Sequence, residues 1–335
     1  MTLRKTVAFS KHSTNLFFHI LTECNLNCRH CYINPEQHGK GRVALKTIKA
    51  WLDVFFDSDA APNLIFLGGE PTLHPDLAAA VKYARSRGFS SITIDTNGFL
   101  FHDILDKVIP EEVDFFSFSL DGATRKTNDA IRGQGSYDAC TTGLRKTVSA
   151  GFATSLIYTV SRANIAELES MPLLLSDLGV ERFFIQVIGL RGKASRSGKK
   201  GTLQVSRSEW LQTIPPLAQK VAAQGITVSY PKVYLEPEET FECAGRVAQN
   251  YFIFPNGRVY QCPLCEDLPI HSLQLKDNQM TPTAKINESD LFELNIPEGC
   301  VMNKLIQPDN IHYTVGGVPE YKIGCCLLKE KVQPK

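Results

Sequence analysis

Residues 22–35 read TECNLNCRHCYINP, and within them Cys24, Cys28 and Cys31 stand with three and then two residues between them. Three thiols on so short a stretch cannot all be core residues. As thiolates they can hold three corners of a four-iron, four-sulfur (4Fe–4S) cube and leave the fourth iron without a protein ligand. Zinc or a disulfide clip are the alternatives on this loop alone. Zinc wants a fourth Cys or His in a closed tetrahedron, and His30 is a possible donor. His30 immediately precedes Cys31, however, and adjacent side chains diverge.

On the N-terminal side of this loop the apolar run LFFHIL, from Leu16, reads as a buried strand that ends where the cysteines begin. On the other side apolar residues recur at helical spacing over about 45–57, and LIFL at 64–67 is a second strand. The alternation continues. His74-Pro75-Asp76 opens a helix that Gly88 stops, SITID at 91–95 is a strand, and a helix follows near 101–109. FFSFS at 115–119, a helix between Gly135 and Gly151, and SLIYTV at 155–160 come next. Cys140 lies on that helix's apolar stripe with Leu144 and Val148, as a packing residue. Asn164 and Glu167 are spaced for a capping box, and RFFIQV at 182–187 is the sixth strand. A helix over about 206–224 should be disturbed at Pro215-Pro216, and ITVSY at 226–230 closes this part. Strands alternating with helices predict an α/β fold with a parallel sheet or an incomplete barrel, whose functional residues collect at the C-terminal strand ends.

Short motifs occupy those ends. Gly68-Gly69-Glu70-Pro71 follows the second strand; its glycines admit a ligand or another backbone, and its carboxylate can accept from an ammonium group. Thr96-Asn97-Gly98 follows the third strand, and Ser119-Leu120-Asp121-Gly122 ends the fourth. Asn-Gly and Asp-Gly are also plain turn dipeptides.

The C-x3-C-x2-C loop followed by aromatic Tyr32, with Gly68-Gly69-Glu70 one strand later, resembles the radical S-adenosylmethionine (SAM) superfamily, well over about residues 16–190. The resemblance implies a partial (β/α)6 TIM-like barrel. It also implies a 4Fe–4S cluster on Cys24, Cys28 and Cys31 whose open iron chelates SAM, and cleavage of SAM to a 5′-deoxyadenosyl radical. By the same resemblance Gly68, Gly69, Glu70 and Pro71 meet the amino group of SAM, and Ser119 and Asp121 lie near its ribose or carboxylate. Gln186 and Ile188, in Gln186-Val187-Ile188-Gly189, and Tyr32 meet its adenine. Asn97 shapes the turn or faces the substrate, and Tyr32 is equally suited to core packing.

We place a boundary near 231, giving a barrel over 1–230 and a cysteine-rich unit over 231–335. That unit carries Cys243, Cys262, Cys265, Cys300, Cys325 and Cys326, with Pro255-Asn256-Gly257 as the turn of a hairpin between YFIF and RVYQC. The pattern resembles the SPASM and shorter twitch extensions of radical SAM enzymes, which bind auxiliary clusters. Six cysteines are too few to ligate two complete cubes, so one auxiliary 4Fe–4S cluster is expected. Its first candidates are Cys243, Cys262 and Cys265 with one of Cys325 or Cys326, and Cys300 in reserve; zinc is the alternative.

The 335 residues are 43% hydrophobic and 21% charged, an ordinary globular composition long enough for one large unit and a smaller one. A net charge of +1 gives no field for nucleic acid or an anionic membrane, and no apolar run has the length of a signal peptide or membrane span. A cytoplasmic protein is expected, its ten cysteines serving metal or redox chemistry instead of disulfides. The basic stretch at 191–201, RGKASRSGKKG, is either a solvated linker or a contact for an anionic group. The expected partners are a low-potential electron donor such as flavodoxin or ferredoxin and a substrate. A peptide to be oxidised, crosslinked or epimerised leads. A small molecule, such as a sugar alcohol or a tetrapyrrole, is second, and a non-catalytic iron–sulfur electron carrier is the reading of a different class.

Overall fold

The computed structural model describes residues 6–56, 61–196 and 203–334. The predicted strands form as β1 (Thr14–Leu21), β2 (Asn63–Gly68), β3 (Ser91–Thr96), β4 (Phe115–Ser119), β5 (Thr154–Val160), β6 (Arg182–Val187) and β7 (Thr227–Pro231). They pair in sequence order, all parallel. Seven further strands are β8 (Tyr234–Leu235), β9 (Gln249–Ile253), β10 (Arg258–Tyr260), β11 (Leu273–Lys276), β12 (Gln279–Pro282), β13 (Lys322–Ile323) and β14 (Lys329–Val332). Strands β9 to β12 extend the sheet beyond β1, and β14 extends it beyond β7, so the segment after 231 joins both edges of the first part's sheet. β8 and β13 pair separately. The sheet ends at β12 and β14 and does not close on itself among the described residues.

Side chains alternate across each strand, and this sorts the chain into two layers. Leu16, Phe18 and Ile20, Leu64 and Phe66, Ile92 and Ile94, and Phe116 and Phe118 pack outward with the helices. The Phe18 ring, for example, lies 5.9 Å from Trp51 of the helix Leu45–Val54. Phe17, Ile65 and Leu67 face inward with Phe252 of β9. Farther round, the inward row becomes polar: Asp95, Ser119, Thr159 and Gln186 line an internal cavity.

Local expectations fare unevenly. The YFIF–RVYQC hairpin forms as β9 and β10, and Gly88 ends the helix Leu77–Arg87 in the left-handed conformation. The helix Arg207–Ala222 continues through Pro215-Pro216, held by Trp210, Ile214, Leu217, Ala218 and Val221 in the core and by a Ser206–Glu209 capping box. The Asn164–Glu167 box does not form. Asn164 accepts from Ser161 N–H and donates to Asp121 and Thr159 carbonyls, while Glu167 accepts from Thr124 and Thr127. Tertiary partners outcompete the local cap. Near 101–109 there are only short helical turns, Phe101–Asp103 and Ile104–Lys107. Cys140 and Leu144 of the helix Ser136–Ser149 are buried, but Val148 is exposed.

That helix presses directly on the turn after β3. A Cβ on Gly143 would fall 2.1 Å from the Gly98 carbonyl oxygen, and one on Gly98 would fall 2.4 Å from Cys140 Cα. Gly143→Ala should therefore lower stability by about 1–3 kcal/mol through overpacking. Chemical denaturation checks this, and an unchanged midpoint would contradict the close approach.

Candidate active site

The cysteine loop leaves β1 and crosses the end of β2 with no space between the backbones. Gly69 N–H donates to Leu21 O (3.1 Å) and Glu70 N–H to Glu23 O (2.9 Å). A Cβ on Gly69 would sit 2.1 Å from the Glu23 carbonyl oxygen, which is why the glycine pair is needed. The backbone approach read from the sequence is thus made by the cysteine loop itself.

Cys24, Cys28 and Cys31 all line one cavity of about 300 Å³. Cys24 Sγ accepts from Leu26 N–H (3.4 Å), and Cys28 Sγ lies 3.6 Å from Arg132 O. Burial pushes the Cys24 thiol up to about 11 and raises Cys28. Empty, these are thiols; a bound metal removes the proton. Three sulfurs around one cavity mouth, one already receiving an N–H, fit a cluster held by three thiolates.

Of the residues expected around SAM, Tyr32, Gly68, Gly69, Glu70, Pro71, Asn97, Ser119, Gln186 and Ile188 line this cavity. Two make different contacts from those expected. The Glu70 carboxylate accepts from Thr72 N–H, Thr72 Oγ1 and Thr96 Oγ1 on Oε1 and from Asn97 N–H on Oε2, at 2.6–3.1 Å, so most of its acceptor capacity is used within the protein. Burial raises its pKa against the pull of those bonds. This segment therefore offers the cavity its main chain and a carboxylate already fixed by the protein.

Asp121 does not line the cavity. It is fully buried, with Oδ2 2.6 Å from Arg132 Nε and 3.2 Å from His30 Nε2, while Oδ1 accepts from Thr159 N–H. Burial opposes its ionisation, but Arg132, then His30 and the hydrogen bonds, outweigh burial and hold it at about 2. The carboxylate that was expected beside SAM instead ties the cysteine loop to the helix Arg125–Arg132. His30, weighed as a zinc ligand, is a partner in that tie.

Asn97 shapes its turn and also reaches the cysteine loop. Its Oδ1 accepts from Phe99 N–H within the turn, and its Nδ2 donates to Asn25 and lies 3.9 Å from Cys24 Sγ. Tyr32 hydrogen-bonds His19 Nε2 (2.7 Å), and the Arg191 guanidinium covers its ring at 4.5 Å. His19 and His38 stack on either side of Phe254, with centroids 4.1 and 3.8 Å away. Arg191 pairs with buried Glu266 and donates to Pro263 O. These contacts dock the cysteine loop onto the C-terminal region. Sequence reasoning missed them, although His19 inside LFFHIL is a polar residue at an inward strand position and so carried a signal. Arg191 opens the basic stretch at 191–201 and is half-buried in an ion pair with buried Glu266; that stretch from 197 on lies outside the described residues.

All six C-terminal cysteines gather beneath this region. Cys243, Cys262, Cys300, Cys325 and Cys326 line a second, small cavity, while Cys265 is buried beside Cys262. Burial pushes Cys300 up to about 12 and raises Cys243. Cys300, held in reserve from the sequence, is placed as centrally as the first candidates, and Cys326 borders both cavities. Buried Glu288 fixes the segment by accepting from Gln261 N–H (2.6 Å), Cys262 N–H (3.0 Å) and Ser272 Oγ (2.8 Å). Among the described residues no three His, Cys, Asp or Glu side chains close around a point as a single ion requires. A four-iron cube spreads its ligands wider than one ion does.

Residues 19–175 match the Radical SAM superfamily model. The chain is 31% identical over 176 residues to the Fe-coproporphyrin III synthase of Methanosarcina barkeri, covering 52% of this chain and 43% of that protein. It is 28% identical over 303 residues to the mycofactocin maturase MftC of Mycobacterium tuberculosis, covering 82% and 71%. The match thus spans less than half of the first relative's length. The fold is similar to that of Streptococcus suis SuiB bound to its precursor peptide SuiA, with a TM-score of 0.62 at 13% identity, covering 95% of this chain and 70% of that one. Among the described residues no helix is long and apolar enough to cross a membrane. The family match makes residues 19–175 a Radical SAM superfamily domain, with three thiols lining its cavity and a cysteine-rich region after it.

Proposed function

We propose that the protein modifies a peptide by oxidation, crosslinking or epimerisation, on a carbon whose hydrogen is removed inside the cavity described above. When bound at Cys24, Cys28 and Cys31, a 4Fe–4S cluster supplies the electron that cleaves SAM into methionine and the 5′-deoxyadenosyl radical, which abstracts that hydrogen. The observation that carries the reading is the composition of one cavity. Cys24, Cys28 and Cys31 and the strand-end motifs line it, and so do Asn303, Gln307, Asn310 and Cys326 from the C-terminal region.

The chain's own residues divide the work. The main chain at 68–71, with Asn97, Ser119, Gln186, Ile188 and Tyr32, surrounds SAM. Asp121, Arg132 and His30 hold the cysteine loop in register. Carboxamides are the side chains that match peptide N–H and C=O groups, and three line the cavity; of these Gln307 donates to Asn303 and accepts from Gln204, and Asn310 accepts from Tyr234. The C-terminal cysteines would hold an auxiliary 4Fe–4S cluster, which would supply an electron acceptor or a point that binds or orients the substrate. An external flavodoxin or ferredoxin is the source of the first electron.

The extent of the alignments supports a peptide over a tetrapyrrole. The relative named as a maturase aligns over 82% of this chain, which must reach into its cysteine-rich part, whereas the coproporphyrin enzyme aligns over 52%.

Anaerobically reconstituted protein should hold about eight irons, as two four-iron clusters require, and should release 5′-deoxyadenosine from SAM under dithionite. Replacing Cys24, Cys28 and Cys31 together with Ala should abolish release and leave the C-terminal iron. Retained release would contradict the assignment. A peptide encoded beside the gene should lose two hydrogens or invert a stereocentre, and an unaltered peptide would turn the search to small molecules.

Asp121→Asn strands Arg132 as a buried cation without its anion. The apoprotein should lose about 3–5 kcal/mol in urea denaturation, and the first cluster should load poorly. Normal stability would show that the pair does not hold the loop.

A further inference from the structure

Three cations other than histidine line the main cavity: Arg132, Arg191 and Lys329. Two are already matched. Arg132 pairs with Asp121 at 2.6 Å, and Arg191 pairs with Glu266. Among the described residues no carboxylate lies within ion-pair distance of Lys329.

Lys329 is nevertheless fixed in place. It begins β14, opposite Pro231 in the ladder with β7, and its N–H donates to Phe9 O at 3.2 Å. Its ammonium stands 4.2 Å from the centre of the Phe9 ring and 5.7 Å from that of Phe184. Aromatic faces stabilise a cation without occupying its N–H donors. An ammonium that lines a cavity with its N–H donors open favours a ligand that supplies acceptors.

Burial lowers the Lys329 pKa only to about 8, against the pull of Cys326 and Asp95. Asp95 lines the same cavity without reaching ion-pair distance of Lys329, and burial raises its carboxyl to about 7 against a bond from Ser117 and the pull of Lys329. A single ammonium, with both arginines of the cavity already paired, suits a singly charged anion better than a dianionic phosphate, which would bury a second negative charge with no cation left to meet it.

We propose that Lys329 anchors a carboxylate of the substrate, and that the peptide entering the cavity presents an Asp or Glu side chain to it. Lys329 is then a specificity-determining residue at the substrate end of the cavity, beside Asp95 and Cys326. The inference rests on the peptide reading above, but its readout is binding, not turnover.

The test uses the reconstituted holoenzyme saturated with SAM and two capped peptides, acetyl-Ala-Glu-Ala-amide and its neutral counterpart acetyl-Ala-Gln-Ala-amide, in titration calorimetry. A hydrogen bond between charged groups predicts that the Glu peptide binds about 10- to 100-fold more tightly. Lys329→Met should erase the preference. Lys329→Arg, which keeps the charge, should retain most of it and shows that the site still folds. Equal binding of the two peptides, binding of neither, or a preference that survives Lys329→Met would each overturn the proposal. So would a loss of SAM affinity in Lys329→Met with the peptide preference intact, which would give Lys329 to the carboxylate of SAM. Deoxyadenosine release by the unaltered enzyme reports separately on the radical chemistry, so failure of one reading is not mistaken for failure of the other.

Discussion

The structure depends on one contact between backbones, where the chain leaving β1 lies across Gly68 and Gly69 at the end of β2. The two hydrogen bonds there, from Gly69 to Leu21 and from Glu70 to Glu23, leave no room for a side chain. Everything at the cavity mouth is referenced to them. Glu70, fixed by the crossing, gathers Thr72, Thr96 and the Asn97 N–H onto its carboxylate. Asn97 in turn reaches Asn25 and Cys24 in the loop. A closed circuit of short contacts thus sets where the first cysteine stands. The far side of the loop is set by a second tie, the buried Asp121–Arg132 pair with His30. Both ties are internal to the protein, so the three sulfurs are positioned before any cluster arrives.

The C-terminal region acts as a wall of the same cavity. Its strands continue the sheet at both edges, and the His19–Phe254–His38 stack with the Arg191–Glu266 pair joins it to the cysteine loop. Stacked rings and a paired guanidinium resist relative movement. That rigidity would keep a substrate at one distance from both groups of cysteines.

Much of this was legible in the chain, and the limits have physical causes. The parallel strands showed because buried strands are continuous apolar runs, and the cysteine loop showed because thiols at that spacing have few other uses. The direction of a side chain beyond a strand end did not show. Ser119 and Asp121 share a parity, yet Ser119 faces the cavity while Asp121 turns into the protein, because its partner Arg132 lies on the following helix. Glu70 was read as a free acceptor because its donors at Thr96 and Asn97 come from another strand end. The spread of one sheet over both parts of the chain was hidden for the same reason, since β1 meets β9 more than two hundred residues away. Lys329 sits in an ordinary polar run near the C-terminus, and only the fold shows that it points at Phe9 and Phe184.

The account stands or falls on SAM meeting iron at Cys24, Cys28 and Cys31. Electron paramagnetic resonance of the dithionite-reduced protein tests that contact directly, with the spectrum recorded before and after SAM is added. The account predicts that SAM changes the signal of the cluster on these three cysteines and leaves the auxiliary signal alone. A spectrum indifferent to SAM, or one in which only the C-terminal cluster responds, would contradict it.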